Sequence, residues 1–282
     1  MLKKNAVYET IITDYTADGM GIAHADGCAV FIPNAIAGER VRISVVHAGK
    51  NKAVGKIDEI LERSPHRIVR NCPLAKVCGG CDFRHMDYAE ELRLKAQRVR
   101  DALTRLGGWD PGELPIAGAK ALSGYRNKAI FPVGMYQGRP DAGFYRARTH
   151  ELIPADRCLL HNAAANAARQ AVVDHLRRYH VSVYDEGTGA GLVRHIFVRT
   201  ADVTGQVMVC LIVNGDRLPK EEALCRRLRE KVPGLASVIL CTNTRPGNAI
   251  MGQASAPSGA PTPSRTSCAL FASGSLPGRS IK

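Results

Sequence analysis

The chain is organised around one short stretch, NCPLAKVCGGC, which spans residues 71–81. It holds three cysteines in a C-x5-C-x2-C spacing, and a fourth cysteine that could join them, Cys158, follows much later. Gly79 and Gly80 have no Cβ and tolerate positive φ, which lets a tight turn bring neighbouring cysteines towards one centre. Pro73 fixes the backbone direction after the first cysteine. The spacing predicts a four-cysteine site built on a turn.

Four thiolates in such a site bind either a zinc ion or an iron–sulfur cluster. Structural zinc sites usually combine two short C-x2-C pairs, whereas this stretch has one such pair, with its first cysteine set back by five residues. Three clustered cysteines and one distant cysteine followed by apolar residues favour a [4Fe–4S] cluster. Zinc is the first alternative, and a set of unconnected reduced thiols is the second.

The length and charge of the chain narrow the class of protein. Its 282 residues suffice for two or three modest domains. No apolar run approaches the length of a membrane span, and the N-terminus, MLKKN, lacks the apolar core of a signal peptide. We therefore expect a cytoplasmic protein with no membrane partner, whose nine cysteines are metal ligands or reduced thiols. The formal net charge of +13 indicates a polyanionic partner, most simply nucleic acid.

Residues 1–65 contain five short stretches of strand character and no long helix. Turn signals at residues 18–21 (DGMG) and 26–27 (DG) separate the first strands, and residues 41–45 (VRISV) alternate apolar and polar side chains. This pattern predicts a small all-β, OB-like barrel, a fold that often binds single-stranded or looped nucleic acid. A spacer domain is the alternative, because basic and acidic residues nearly balance as far as Arg70.

Residues 66–252 predict a mixed α/β region. Its clearest helix runs from Asp87, placed as an N-cap with Glu90 three residues later, to Gly107. Apolar residues recur in this helix at helical spacing: Leu92, Ala96, Val99, Leu103 and Leu106. Further helices are predicted over residues 163–179 and 220–231, a β-hairpin over 192–199 and 206–213, and a strand over 236–241.

The segment from Lys120 to His150 combines positive charge with aromatic side chains. Between Lys120 and Arg148 there are six basic residues and one acidic residue, interleaved with tyrosines and phenylalanines. Cations meet phosphates and aromatic faces stack on unpaired bases, so this composition suits looped RNA. The candidate RNA-binding residues are Tyr125, Arg126, Lys128, Arg146 and Arg148.

Several short motifs occur in a fixed order along residues 1–252. They are GMGIA at residues 19–23, VFIP at 30–33, the cysteine turn at 72–81, YRNK at 125–128, GFY at 143–145 and Cys158. In this combination the chain resembles the iron–sulfur-containing RNA uracil-C5 methyltransferases, the bacterial 23S ribosomal RNA branch that has an N-terminal TRAM domain.

The resemblance implies a role for each region. Residues 1–65 would be the TRAM barrel, which binds RNA, and residues 66–252 would hold the cluster and position ribosomal RNA, with transfer RNA as the alternative substrate. The implied ligands of the [4Fe–4S] cluster are Cys72, Cys78, Cys81 and Cys158. In that family a cysteine thiolate adds to uracil C6, C5 takes the methyl group of S-adenosylmethionine, and a base removes the C5 proton.

The sequence departs from this family after residue 252. Family members continue into a Rossmann-like methyltransferase domain with a glycine-rich cofactor loop, an Asp-Pro-Pro-Arg motif and the catalytic cysteine, and none of these motifs occurs in this sequence. Residues 253–282 contain seven serines, four prolines and no acidic residue, which predicts a disordered, out-of-frame tail.

We therefore expect a multidomain fold, an OB-like barrel followed by a mixed α/β region, with the Rossmann-like methyltransferase domain missing. No catalytic residue and no residue that binds S-adenosylmethionine is assigned. A C-terminally truncated 23S ribosomal RNA (uracil-5-)-methyltransferase, inactive as this chain alone, is the first hypothesis. A non-catalytic iron–sulfur RNA-binding protein is the alternative.

Overall fold

The computed structural model describes residues 2–247 and 249–251 and, for the backbone only, residues 264–269. The chain divides into two compact units. The first unit consists of residues 1–76 and 80–120, and the second of residues 77–79 and 121–282. Among the described helices, none has the length and apolar character needed to cross a membrane. The tail predicted to be disordered, residues 253–282, lies outside the described residues except for the strand at 264–269.

The first unit contains one six-stranded sheet. Its strands are β1 (Val7–Ile11), β2 (Asp14–Tyr15), β3 (Gly21–Ala25), β4 (Cys28–Ile32), β5 (Arg40–Ala48) and β6 (Lys52–Glu62). They lie in the order β1-β5-β6-β4-β3-β2, and all pairs are antiparallel except β4 with β6. The sheet curls back on itself, because the Thr10 hydroxyl donates to the His24 carbonyl (3.0 Å) and the Thr13 N–H donates to the Ile22 carbonyl (2.8 Å).

Alternation along β5 sorts its side chains between the core and the surface. Val41, Ile43 and Val45 are fully buried, whereas Arg40 and Arg42 lie on the other face of the strand. Burial of such an apolar side chain contributes about 1.5–3 kcal/mol, which holds the register of the strand. The half-buried strand predicted at residues 41–45 is confirmed.

The first unit also contains helix α1 (Tyr88–Asp101), which continues as a π-helical turn, Ala102–Leu106. The Asp87 carboxylate accepts a hydrogen bond from the Glu90 N–H (2.8 Å), so the predicted N-cap is confirmed. The helix itself is confirmed, and the predicted apolar stripe is only partly buried. Val99 and Leu106 are 52% and 88% exposed, and the buried leucine of the helix is Leu94.

The second unit contains a seven-stranded mixed sheet. Its strands are β7 (Lys128–Tyr136), β8 (Arg139–Tyr145), β9 (Leu152–Pro154), β10 (Val193–Thr200), β11 (Val207–Val213), β12 (Leu235–Thr242) and β13 (Ser264–Ala269). Their order is β13-β12-β11-β10-β7-β8-β9, and only β11 and β12 pair in parallel. The predicted hairpin is confirmed as the antiparallel pair of β10 and β11.

Two helices cover one face of this sheet. Helix α2 (Ala163–Arg178) and helix α3 (Glu221–Lys231) share a core with alternate residues of the strands, among them Phe131 on β7 and Val198 on β10. Because side chains alternate along a strand, the neighbours Lys128 and Arg199 belong to the face without helices. The sheet therefore presents one face to its own helices and leaves the cationic ends of two strands on the other.

Candidate nucleic-acid interface

The part of the predicted RNA-binding segment that leads into β7, residues 121–128, is exposed throughout. All residues from 121 to 128 are exposed, and Tyr125 is 52% exposed. Its backbone is nevertheless fixed, because the N–H groups of Gly124 and Arg126 donate to the carbonyls of Leu159 (2.8 Å) and Leu160 (3.0 Å). The side chains of Tyr125 and Arg126 are thus presented to solvent from a held backbone.

A polar chain buried behind this segment anchors it to helix α2. Asn162, the N-cap of α2, accepts from the Ala165 N–H (2.9 Å) and donates through Nδ2 to the Thr200 hydroxyl (2.7 Å). Both the N–H (2.9 Å) and the hydroxyl (3.5 Å) of Thr200 donate to the Asn127 carbonyl. These bonds fix Asn127 and Thr200, so the adjoining cationic residues on the two strands are held as well.

Lys128 lies directly opposite Arg199 in the antiparallel pair of β7 and β10. Both side chains are exposed, and neither has an ion pair within the part of the chain that the structure describes. Arg199 was not among the predicted RNA-binding residues. Its position at the end of a predicted strand was visible in the sequence, but its pairing with Lys128 depends on the register between distant strands.

The other two predicted RNA-binding residues lie at the same end of the sheet, in the turn after β8. Arg146 forms a two-point ion pair with Glu151, with Nε–Oε2 and Nη2–Oε1 distances of 2.5 and 3.0 Å. Arg148 is exposed, has a φ of 63° and makes no ion pair with any described residue. Arg148 is therefore available to a ligand, whereas Arg146 already has a carboxylate partner.

The Cys78–Gly79 segment packs against the same turn as a short extra strand. Cys78 forms a β-bridge with Arg146, and the Gly79 N–H donates to the Tyr145 carbonyl (3.2 Å). A Cβ on Gly79 would stand 2.9 Å from the Ala147 Cα, so glycine is required for this close approach. The predicted reason, a positive φ, is wrong, because neither Gly79 nor Gly80 has one.

The four predicted cysteine ligands are all half-buried. The Cys158 loop is tied to helix α2, where the Cys158 N–H donates to Asn166 Oδ1 (2.9 Å) and Asn166 Nδ2 donates back to the Cys158 carbonyl (3.2 Å). In the first unit, the Cys72 carbonyl accepts from the Ala75 N–H (3.1 Å). Within residues 2–247, 249–251 and 264–269, no group of three or more His, Cys, Asp or Glu side chains is placed to hold a metal ion.

Curated relatives match the chain over most of its length. An uncharacterized RNA methyltransferase of Clostridium tetani is 36% identical over 254 residues, which are 90% of this chain and 55% of that protein. An uncharacterized RNA methyltransferase of Caldanaerobacter subterraneus subsp. tengcongensis is 39% identical over 245 residues, which are 87% of this chain and 54% of that protein. The chain therefore spans about half the length of these relatives. No protein-family model matches it.

One solved structure shares the fold. The tRNA (uracil-54, C5)-methyltransferase of Pyrococcus abyssi, in complex with S-adenosyl-L-homocysteine, matches 86% of this chain and 53% of its own, with a TM-score of 0.64 and 19% identity. This match contradicts the expected fold class, a barrel and a mixed α/β region with the methyltransferase domain missing, because most of the chain has the fold of a methyltransferase.

The physical reason for the error is that the expectation relied on short motifs. A fold is preserved by its pattern of buried and exposed residues even where few residues are identical. The helices of the second unit lie within residues 163–231, and its sheet lies within residues 128–242 together with the strand at 264–269. Over 87–90% of its length the chain is similar in sequence to RNA methyltransferases, and over 86% of it the chain shares the fold of part of one.

Proposed function

We propose that this chain acts in the methylation of uracil at C5 in RNA, with S-adenosylmethionine as the methyl donor. The observation that carries the proposal is the 36–39% identity to two RNA methyltransferases along 245–254 residues. The uracil-C5 specificity is supported by the fold shared with the Pyrococcus abyssi tRNA (uracil-54, C5)-methyltransferase. That enzyme was solved with S-adenosyl-L-homocysteine, which is what remains of S-adenosylmethionine after methyl transfer.

The proposed substrate is 23S ribosomal RNA, and transfer RNA is the alternative. Ribosomal RNA is supported by the ordered motifs in residues 1–252, and transfer RNA by the Pyrococcus abyssi enzyme. We further propose the cytoplasm as the location, residues 1–65 as a TRAM-like RNA-binding domain, and residues 66–252 as the RNA-recognition region.

The proposed RNA contacts are made by Tyr125, Arg126, Lys128, Arg146 and Arg148. Support comes from the exposure of the 121–128 segment on a fixed backbone and from the exposed Arg148. An exposed tyrosine offers a stacking face for a base, while neighbouring cations neutralise phosphates. RNA binding without methyl transfer is the second candidate function, because these side chains would serve it whether or not the chain is catalytic.

We also propose Cys72, Cys78, Cys81 and Cys158 as ligands of a [4Fe–4S] cluster, on the support of their spacing in the sequence alone. Anaerobic purification followed by iron and sulfide analysis tests this proposal, with about four irons expected per chain. Cys158→Ala should lose the iron, and the matched variant Cys28→Ala, in the first sheet, should keep it. An iron content near zero in the unaltered chain would remove the cluster from the proposal.

A methyl-transfer assay tests the proposed function. The purified chain is incubated with tritium-labelled S-adenosylmethionine and either transcribed 23S ribosomal RNA or unmodified transfer RNA, and digested nucleosides are identified by mass spectrometry. Label in 5-methyluridine from one RNA supports the proposal and identifies the substrate. RNA in which 5-methyluridine replaces uridine is the control and should take no label. RNA binding with no methyl transfer would favour the second candidate, and label on another base would overturn uracil specificity.

A further inference from the structure

The pairing of Lys128 with Arg199 is unusual among the exposed charges of the strands. Residues directly opposite in an antiparallel pair have Cβ atoms about 5 Å apart and point to the same face. Two like charges in such a position repel each other and destabilise the strand pair. The sequence therefore keeps an unfavourable arrangement at the junction of β7 and β10.

Some arginines at or next to the ends of strands have carboxylate partners. Arg40 lies 3.3 Å from Glu62, and Arg146 binds Glu151 at two points. For Lys128 and Arg199, in contrast, the described residues supply no carboxylate. Within the described residues, therefore, no group offsets the repulsion between these two cations.

The backbone beneath the two cations is rigid. Thr200, next to Arg199, is 9% exposed and donates to the carbonyl of Asn127, next to Lys128. Asn162 ties the same threonine to the start of helix α2. Binding of one ligand to both cations would cost little backbone conformational entropy, because the two strands already hold these residues next to each other.

We propose that Lys128 and Arg199 bind one phosphodiester group of the RNA between them. An anion at this position replaces the repulsion by two attractions. The Arg199 guanidinium can donate two parallel N–H bonds to phosphate oxygens, and the Lys128 ammonium adds a point charge. The proposal rests on the proposed function in one respect, that the ligand is RNA, and it adds Arg199 to the recognition surface.

Binding of a fluorescein-labelled single-stranded oligouridine, measured by anisotropy over a range of NaCl concentrations, tests the pair. Lys128→Ala and Arg199→Ala should each weaken binding roughly three- to tenfold at low salt. The slope of log K against log[NaCl] should become shallower by about 0.7 in total, even in the double variant, because the two cations share one phosphate. Arg199→Lys should retain most of the slope, since it keeps the charge.

The matched control is Arg229→Ala, which removes an exposed arginine of α3, on the side of the sheet that the helices cover. Its affinity and slope should equal those of the unaltered chain. If Arg199→Ala and Lys128→Ala behave like this control while the unaltered chain binds RNA, the shared phosphate site is excluded and Lys128 is removed from the proposed RNA contacts, but the proposed RNA methylation stands. If the unaltered chain binds no RNA, both proposals fail. A variant that loses thermal stability but keeps its salt slope would make Arg199 a structural residue and overturn the inference.

Discussion

One exposed strand cation in each unit provides a contrast in how charges are paired. In the first unit, Arg42 lies opposite Glu9 on β1 and opposite Glu59 on β6, and it forms ion pairs with both carboxylates. In the second unit, Lys128 lies opposite Arg199, and within the described residues neither has an acidic partner. The geometry is the same in both, because each side chain lies next to the residue opposite it in an antiparallel pair. The charge of that opposite residue differs in sign.

This difference indicates that the Lys128–Arg199 position, unlike that of Arg42, keeps charge available for a ligand. Exposed ion pairs contribute little to stability, so a missing carboxylate costs the fold little. Two adjacent cations without a carboxylate repel each other and destabilise the free protein slightly, and binding of an anion would replace this repulsion by attraction. On this argument the net positive charge of the chain is an incomplete guide, because many of its cations are already neutralised locally.

The largest expected effect concerns a buried carboxylate of the second unit, that of Asp141. Asp141 is buried and binds both Arg169 and Arg177, and the Arg169 side chain is only 1% exposed. Asp141→Ala should lower the free energy of unfolding by about 3–5 kcal/mol, because it leaves a buried guanidinium without its main counter-charge. Urea unfolding measures the loss.

The control for this variant is Glu151→Ala, which removes the carboxylate of the exposed pair with Arg146 and should change stability little. Equal losses in the two variants would break the comparison, because they would show that exposed pairs of the second unit carry as much stability as its buried one.

Local signals were enough to predict the helices and the hairpin. The N-cap at Asp87 formed as expected because an aspartate followed by a helical pattern needs no distant partner. The side chain of Glu90 was harder to predict. It accepts from the Tyr15 hydroxyl (2.7 Å) and from Arg93 Nε (2.7 Å), and Tyr15 lies far away in the sequence.

The residues of the candidate site were harder to predict from the sequence, because more of their contacts are with residues far away in the chain. Lys128 and Arg126 were identified from composition, but Arg199 became visible only through the register of β7 with β10, which tertiary packing sets. Gly79 was recognised as special for the wrong reason, because its close neighbour, Ala147, belongs to another segment. The four-cysteine cluster that motif spacing predicted stays a prediction.

A second way to sharpen the comparison uses a buried histidine of each unit. Burial and, to a smaller extent, the nearby Arg126 lower the pKa of His161 from its ordinary value of 6.5 to about 4. Burial also lowers the pKa of His85, in the first unit, to about 4, but there Glu39 acts in the opposite direction to Arg67 and Arg70. The histidine of the second unit therefore has a cation and no carboxylate among the charges that shift its pKa.

The lowered pKa values predict that both units are acid-sensitive, and His161 shows the effect. His161 is neutral when folded and takes up a proton on unfolding, so stability should fall as pH drops from 6.5 towards 4, on the order of 1 kcal/mol from this residue. Arg126→Ala should raise the pKa of His161 in an NMR titration and leave that of His85 unchanged. An unchanged His161 pKa would show that Arg126 exerts no field on this site.

A smaller effect is expected where the charges are already paired. Arg42→Ala should lower the Tm by about 1–3 °C at low salt, because the carboxylates of Glu9 and Glu59 lose their shared partner. The loss should vanish in 1 M salt, where the Debye length is about 3 Å. Affinity for oligouridine should not change. A clear loss of affinity would mean that the first sheet also binds RNA through this arginine, which would remove the contrast between the two units.

The smallest expected effect is also the most direct reversal of the comparison. Arg199→Glu places a carboxylate opposite Lys128, as Glu9 and Glu59 stand opposite Arg42 in the first sheet. Exchanging a repulsive pair for an attractive one should raise the Tm by about 1 °C at low salt, with no gain at high salt. The same variant should bind oligouridine less tightly than Arg199→Ala, because the new carboxylate repels phosphate and occupies the lysine. Stability and affinity would then move in opposite directions, as expected of a pair kept for binding at a small cost to the fold. A drop in both would show instead that Arg199 supports the sheet, since a structural arginine cannot be exchanged for a glutamate without loss.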